Sequence, residues 1–241
     1  MKESIKRIIS GFIFGGVFIA SLYTHVSFAI LTFIFGIIST NEFNKLTNQS
    51  GIGYYIAFSI IYIYFALTEF YLNSNLQLNS WFNDLKDTLL IFSIFVSLFL
   101  LRDLFSSKNL PGILVKKYFR FIFYITSSFV FIYLIANFKG FYEPSIILGC
   151  FILIWVNDSF AYIVGKSFGK QKLFYSISPH KTVEGFLGGL LFCCISASIV
   201  SRYINETLNT PNWLTIAIII SVFGTLGDLI ESKLKRDSNV K

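Results

Sequence analysis

Apolar residues along this chain fall in long blocks separated by short polar gaps, unlike the alternating or one-sided patterns of a soluble core. A block of about 18 or more apolar residues can cross a bilayer as a helix. The pattern predicts eight spans, at about 8–22, 26–39, 52–72, 85–101, 118–138, 144–164, 183–200 and 212–230. The second and fourth are the least distinct, and several look short for a hydrocarbon core of about 30 Å. The third block suits either a plain span or a longer, tilted or broken helix. The expected fold is therefore all-α: a polytopic transmembrane helical bundle of about eight spans.

Charge placement fixes an orientation. With the N-terminus in the cytoplasm and the spans alternating, only Lys86, Lys139 and Arg202 fall on the far side, so 17 of the 20 Lys and Arg face the cytoplasm. Such a skew follows the positive-inside rule and puts both termini in the cytoplasm. The basic start (Lys2, Lys6, Arg7) before an apolar stretch imitates a secretory signal. Further spans follow at once without a convincing cleavage site, so it is expected to be a retained first span.

Composition agrees. Charged residues make up 14% of the 241 residues, against roughly 25% in soluble domains, while 54% are hydrophobic. The net charge of +7 does not indicate nucleic acid, because the basic residues flank the apolar blocks and suit anionic headgroups. Cys150, Cys193 and Cys194 lie inside apolar blocks at no metal or disulfide spacing, and read as buried small residues.

The two halves differ in chemistry. Residues 1–140 form an expected N-terminal set of transmembrane helices with few polar exceptions. Glu42 and Glu69 sit near span ends, where an interfacial position lets a carboxylate reach water. Trp81 and many Tyr residues near span ends look like headgroup-level anchors. His25 earns no role. Residues 141–241 form the expected catalytic region.

In the sixth span, Asn157-Asp158-Ser159-Phe160-Ala161-Tyr162 interrupts the apolar run. An ionised Asp inside a span costs at least ~2.5–3.5 kcal/mol on insertion scales, so it usually faces a cavity or a partner. Asp158 and Tyr162 share a helix face. The next loop, Gly165-Lys166-Ser167-Phe168-Gly169-Lys170, could bring backbone N–H groups and cations to an anion. It lacks the Walker A spacing, and a plain basic loop explains it equally. In Ser178-Pro179-His180-Lys181-Thr182-Val183-Glu184-Gly185, Pro179 can open a helix and Ser178 can cap it. Its first turn would then meet a phosphate, with Lys181 as a mobile cation. Glu184 could pair with Lys181 or bind a metal, and His180 reads as interfacial. Gly185 and Gly189 have the small-xxx-small spacing of close helix packing. In the last span Asp228, Glu231, Ser232 and Lys235 lie on one helix face that leaves the membrane on the cytoplasmic side. Carboxylates there suit Mg²⁺, and Lys235 and Arg236 suit phosphates.

These three stretches, together with Gly227-Asp228-Leu229-Ile230-Glu231-Ser232-Lys233-Leu234-Lys235-Arg236-Asp237, resemble the phosphatidate cytidylyltransferase (CDP-diacylglycerol synthase) family over about residues 144–241. The first half is similar only as a set of spans. The resemblance implies transfer of CMP from CTP to phosphatidic acid, giving CDP-diacylglycerol and pyrophosphate in phospholipid biosynthesis. It implies Asp228 as metal ligand and, with Lys181, as catalytic residue. Asn157, Asp158, Ser178, Lys181, Glu184, Ser232, Lys235 and Arg236 are then the substrate-binding set. The expected cofactor is Mg²⁺, with a second metal ion an open option. The expected partners are CTP, phosphatidic acid and membrane lipids, with a homodimer allowed and no nucleic acid. The expected location is the bacterial cytoplasmic (inner) membrane, with the active site facing the cytoplasm.

Two alternatives remain open: a CTP-dependent lipid kinase of the dolichol or polyprenol type, and a transporter with an intramembrane ion site at Asp158 and Asp228. The family signature continues beyond Lys241 with an Asp, a His-Gly-Gly stretch and an Asp-Arg pair whose acid is a metal ligand. The chain is thus expected to be a fragment or a shortened product. These 241 residues alone are predicted to give little or no CDP-diacylglycerol. Robust CTP- and Mg²⁺-dependent turnover by them in lipid vesicles would refute that.

Overall fold

The computed structural model of the protein describes residues 2–47, 51–75, 80–105, 117–137, 141–175, 177–205 and 207–237. In chain order its elements are α1 (Lys2–Ser21), α2 (His25–Leu46), α3 (Ile52–Asn75), α4 (Ser80–Phe105) and α5 (Lys117–Arg120). A π-helical turn at Phe121–Thr126 leads into α6 (Ser127–Ile135) and α7 (Pro144–Phe168). A two-stranded hairpin, β1 (Lys172–Phe174) and β2 (Ser178–Thr182), precedes α8 (Val183–Tyr203) and α9 (Thr210–Asp237).

Helices dominate because a backbone in lipid must satisfy its own N–H and C=O groups. Seven helical stretches among the described residues are long and apolar enough to cross a membrane: α2, α3, α4, Tyr118–Ile135, α7, α8 and α9. The chain is a polytopic α-helical membrane protein. The side chains of Lys2, Lys6, Arg7 and Lys117, and residues Lys108, Lys116, Lys139 and Lys241, lie outside the described set.

The second and fourth spans are not short. They have 22 and 26 residues, about 33 and 39 Å of helix at 1.5 Å per residue. Their polar ends, such as Thr40-Asn41-Glu42 and Asp84-Leu85-Lys86, stay helical where the apolar pattern stops. The third span is one continuous helix of 24 residues.

The chain divides into two compact units. The first comprises Met1–Val96 and Pro111–Pro144, and the second Ser97–Leu110 and Ser145–Lys241. Aromatic rings fill the first unit, with Phe28, Tyr54, Phe58, Phe121 and Tyr133 almost fully buried. Thr24 caps α2 by accepting the Ser27 N–H at 3.1 Å. A polar contact ties α3 to α2 here, the Tyr62 hydroxyl donating to the Ala29 carbonyl at 3.0 Å. Glu69 is buried, at 6% exposure, with its carboxylate 3.7 Å from Lys86 Nζ on α4. His25 has a structural contact: its Nε2 lies 2.8 Å from the Tyr133 hydroxyl, and its ring packs among Phe70, Tyr133 and Tyr142.

The second unit is built on α7, α8 and α9. Glycines on α8 let it approach α7 at backbone distance. A Cβ on Gly185 would sit 2.7 Å from the Ala161 carbonyl oxygen, one on Gly188 2.7 Å from Val164, and one on Gly189 2.9 Å from Asn157. The cysteines are free, and the buried Cys193 thiol lies between the carbonyls of Leu153 (3.6 Å) and Ala217 (3.7 Å). At the opposite end from the hairpin, Asn205 Nδ2 donates to Ser145 Oγ at 2.6 Å and Ser201 bonds Thr210 at 2.8 Å.

Gly188→Leu places a branched side chain against the stiff Val164. It should lower the stability of the detergent-solubilised protein by about 1–3 kcal/mol, the usual range for overpacking. Leu191→Ala on the exposed face of the same helix should change it far less, and thermal unfolding of the two variants checks the contrast.

Candidate active site

The site is assembled where α7 ends, the hairpin turns and α8 begins. Helix α7 runs on to Phe168, so Gly165-Lys166-Ser167 is its last turn rather than a loop. The Gly169 N–H closes that helix by donating to the Gly165 carbonyl at 3.1 Å. These glycines serve packing: a Cβ on Gly165 would meet Thr182 Oγ1 at 3.0 Å, and Gly169 packs against the same threonine.

The helix expected to open at Pro179 under a Ser178 cap does not. Ser178–Thr182 is a strand, paired antiparallel with β1 through Lys172–Thr182 and Phe174–Ser178. Proline holds the residue before it extended, and in a two-stranded hairpin its missing N–H can face outward. The cap is Thr182, four residues later, in extended backbone, with Oγ1 accepting the Gly185 N–H at 3.1 Å. The first turn of α8 still opens toward the site, displaced by those four residues.

Glu184 does not pair with Lys181. Its carboxylate accepts the Gln171 N–H at 3.1 and 3.2 Å, while the Val183 N–H donates to the Gln171 carbonyl at 2.9 Å. The start of α8 is thereby tied to the residue before β1. Lys181 reaches instead to α9, where Nζ donates to Asp228 Oδ2 at 2.6 Å.

Around this pair lies a cavity of about 650 Å³, within the range of small-ligand sites. Asn157, Asp158, Tyr162 and Lys166 of α7 line it, with Ser178, His180, Lys181 and Thr182 of β2, Gly185 and Phe186 of α8, and Thr225 and Asp228 of α9. Asn157 is buried at 5% exposure and its amide donates to Asp158 Oδ1 at 3.3 Å. Of the residues selected from sequence, Asn157, Asp158, Ser178, Lys181 and Asp228 come together here, all within the second unit. Glu184, Ser232, Lys235 and Arg236 do not line the cavity. Lys235 forms an ion pair with Glu231 one turn back on α9.

His180, Thr182 and Thr225 were missed or passed over. Thr225 lies one turn before Asp228, and continuing the polar face of α9 backward would have found it. Lys233, which pairs with Asp103 Oδ2 on the last turn of α4 at 2.7 Å, had no signal, because its partner is 130 residues away. Among the described residues no group of three or more His, Cys, Asp or Glu could hold a metal by itself. Among the oxygen-bearing side chains that line the cavity are the carboxylates of Asp158 and Asp228 and the amide of Asn157.

A model of the cytidylyltransferase family matches residues 5–241, nearly the whole chain. The chain belongs to the cytidylyltransferase family. It is similar to the phosphatidate cytidylyltransferases of Staphylococcus haemolyticus (45% identical over 95 residues, 39% of this chain and 36% of that one), Bacillus subtilis (43% over 118 residues, 49% and 44%) and Staphylococcus saprophyticus (37% over 165 residues, 67% and 60%). The matched part thus spans about half the length of these relatives.

In this member of the cytidylyltransferase family, the Glu184 contact sets how the hairpin carrying Lys181 meets α8. Glu184→Ala should speed hydrogen exchange at the Gln171 amide while helix content by circular dichroism stays the same. An unchanged exchange rate would mean that the carboxylate holds nothing there.

Proposed function

We propose that this site transfers CMP from CTP to the phosphate of phosphatidic acid, at the cytoplasmic face of a bacterial inner membrane. The observation that carries the proposal is the cavity itself. It gathers cations, hydroxyls, a helix N-terminus and two carboxylates at one end of a set of apolar helices, in a chain of the cytidylyltransferase family. Its end of the unit is also where the cationic residues concentrate, which supports a cytoplasmic orientation.

The reaction forms a bond between a phosphatidate oxygen and the α-phosphorus of CTP and breaks the bond from that phosphorus to the bridging oxygen, releasing pyrophosphate. The difficulty is charge: a dianionic nucleophile must approach a polyanion. Lys181 and Lys166 offset that charge, and the first turn of α8, where Gly185 and Phe186 line the cavity, adds positive dipole character. The Ser178 and Thr225 hydroxyls orient oxygens, and the Tyr162 and Phe186 rings offer flat surfaces to a base. Apolar helices beneath let the lipid present its headgroup without leaving the bilayer.

Magnesium fits the donor set. Asp228 would hold it, with Asp158 lining the same cavity, and Mg²⁺ commonly binds through one or two carboxylates with the remaining ligands from phosphates and water. Bound there it supplies charge neutralisation on the triphosphate and the leaving pyrophosphate.

The detergent-solubilised chain should bind CTP in preference to ATP in the presence of Mg²⁺. Asp228→Asn should weaken that binding at least about tenfold, equivalent to roughly 1.4 kcal/mol. CTP labelled at the α or the γ phosphate, incubated with phosphatidic acid vesicles, separates the chemistries at the level of single turnovers. Lipid-bound α label supports CMP transfer, and lipid-bound γ label supports a kinase.

A further inference from the structure

In this structure the site's cation and its carboxylate hold each other. Lys181 Nζ and Asp228 Oδ2 are 2.6 Å apart, across 47 residues of chain, and both line the cavity. The roles assigned above to these two groups compete while the pair persists. A divalent cation binds a carboxylate oxygen at about 2.0–2.1 Å, a place the ammonium takes on Oδ2, and the two cations repel. Likewise an ammonium held by Asp228 meets a phosphate with fewer free donors and a charge already partly offset. Lys166, the other lysine lining the cavity, is engaged differently, over the Tyr162 ring at 5.7 Å.

The pair is also built to open. Asp228 is 57% exposed at its side chain and Lys181 28%, so water can replace either partner. The Lys181 backbone is pinned in β2, and the contact of Glu184 with Gln171 holds the hairpin against α8. Only the flexible lysine stem has to move, and the cavity beside it is large enough for it to turn in.

We propose that Lys181 is a resident counter-cation of Asp228: a divalent cation displaces it, and the freed ammonium turns to the phosphate chain of the nucleotide, so that cation and nucleotide bind cooperatively. This rests on the nucleotide site proposed above. No covalent bond changes, and the exchange is one of ion partners. By linkage, whatever factor the cation adds to nucleotide affinity the nucleotide adds to cation affinity.

The test uses the whole 241-residue chain in detergent, with Mn²⁺ as the probe and free Mn²⁺ read by electron paramagnetic resonance. Without nucleotide, Lys181→Met should bind Mn²⁺ about two- to fivefold more tightly than wild type, the range set by an exposed ion pair. Lys181→Arg keeps the pair and should match wild type, and Lys181→Gln repeats the Met result should that variant fold poorly. Lys181→Met combined with Asp228→Asn should lose the gain. With CTP present, wild-type Mn²⁺ affinity should rise, and Lys181→Met should lose most of that rise. Equal or weaker Mn²⁺ binding by both neutral variants, or none by any protein at millimolar Mn²⁺, overturns the proposal. CTP binding is measured separately. Its absence in wild type removes the nucleotide site and with it the cooperative step, while a tighter Mn²⁺ site in Lys181→Met still upholds the counter-cation.

Discussion

The close approach of α8 to α7 is the contact on which the site depends. At Gly185, Gly188 and Gly189 a single added carbon would collide with the carbonyl oxygens of Ala161 and Asn157 or with the Val164 side chain. In a bilayer, where apolar side chains gain nothing from leaving water, such contact surfaces are a main source of helix association. The same approach seats the first turn of α8 beside Ala161 and Gly165, its second turn beside Asn157, and Thr182 against Gly165. The hairpin then has one place to go, and Lys181 is delivered to α9.

Membrane and chemistry impose opposite demands that this arrangement reconciles. Lipid requires every polar group to be satisfied, while a site that binds anions needs donors held ready. In the first unit the polar groups are spent on structure, as in the His25–Tyr133 and Glu69–Lys86 pairs. In the second unit they gather at one end, around a cavity, where water can serve as a stand-in partner. The Lys181–Asp228 pair lets each of these charges offset the other.

Part of the site was legible because its residues break a pattern. Asn157 and Asp158 stand out in an apolar block, and Asp228 opens a polar face on an otherwise apolar helix. Gly185 and Gly189 carry helix-packing spacing, and the structure packs them that way. The start of α8 was misread because Ser178-Pro179 has the chemistry of a helix opening, and nothing local says that residues 172–174 will pair with it. The role of Glu184 was misjudged for the same reason: Lys181, three residues away, looked nearer than a backbone N–H across the hairpin. Ser232, Lys235 and Arg236 follow Asp228 in the same helix, but the helix carries them away from the cavity at 1.5 Å per residue.

The amino-acid sequence alone determined the helical membrane class, the approximate spans and the half of the chain in which polar residues interrupt the apolar blocks. Each follows from composition and spacing over short windows, where lipid tolerates few solutions. Tertiary structure decided which partner each charge takes. It gave Asp228 to Lys181, Glu184 to Gln171, Lys233 to Asp103 and Glu69 to Lys86. Ion pairs and hydrogen bonds act over a few ångströms of space, whereas the separation of their partners along the chain ranges here from 13 to 130 residues.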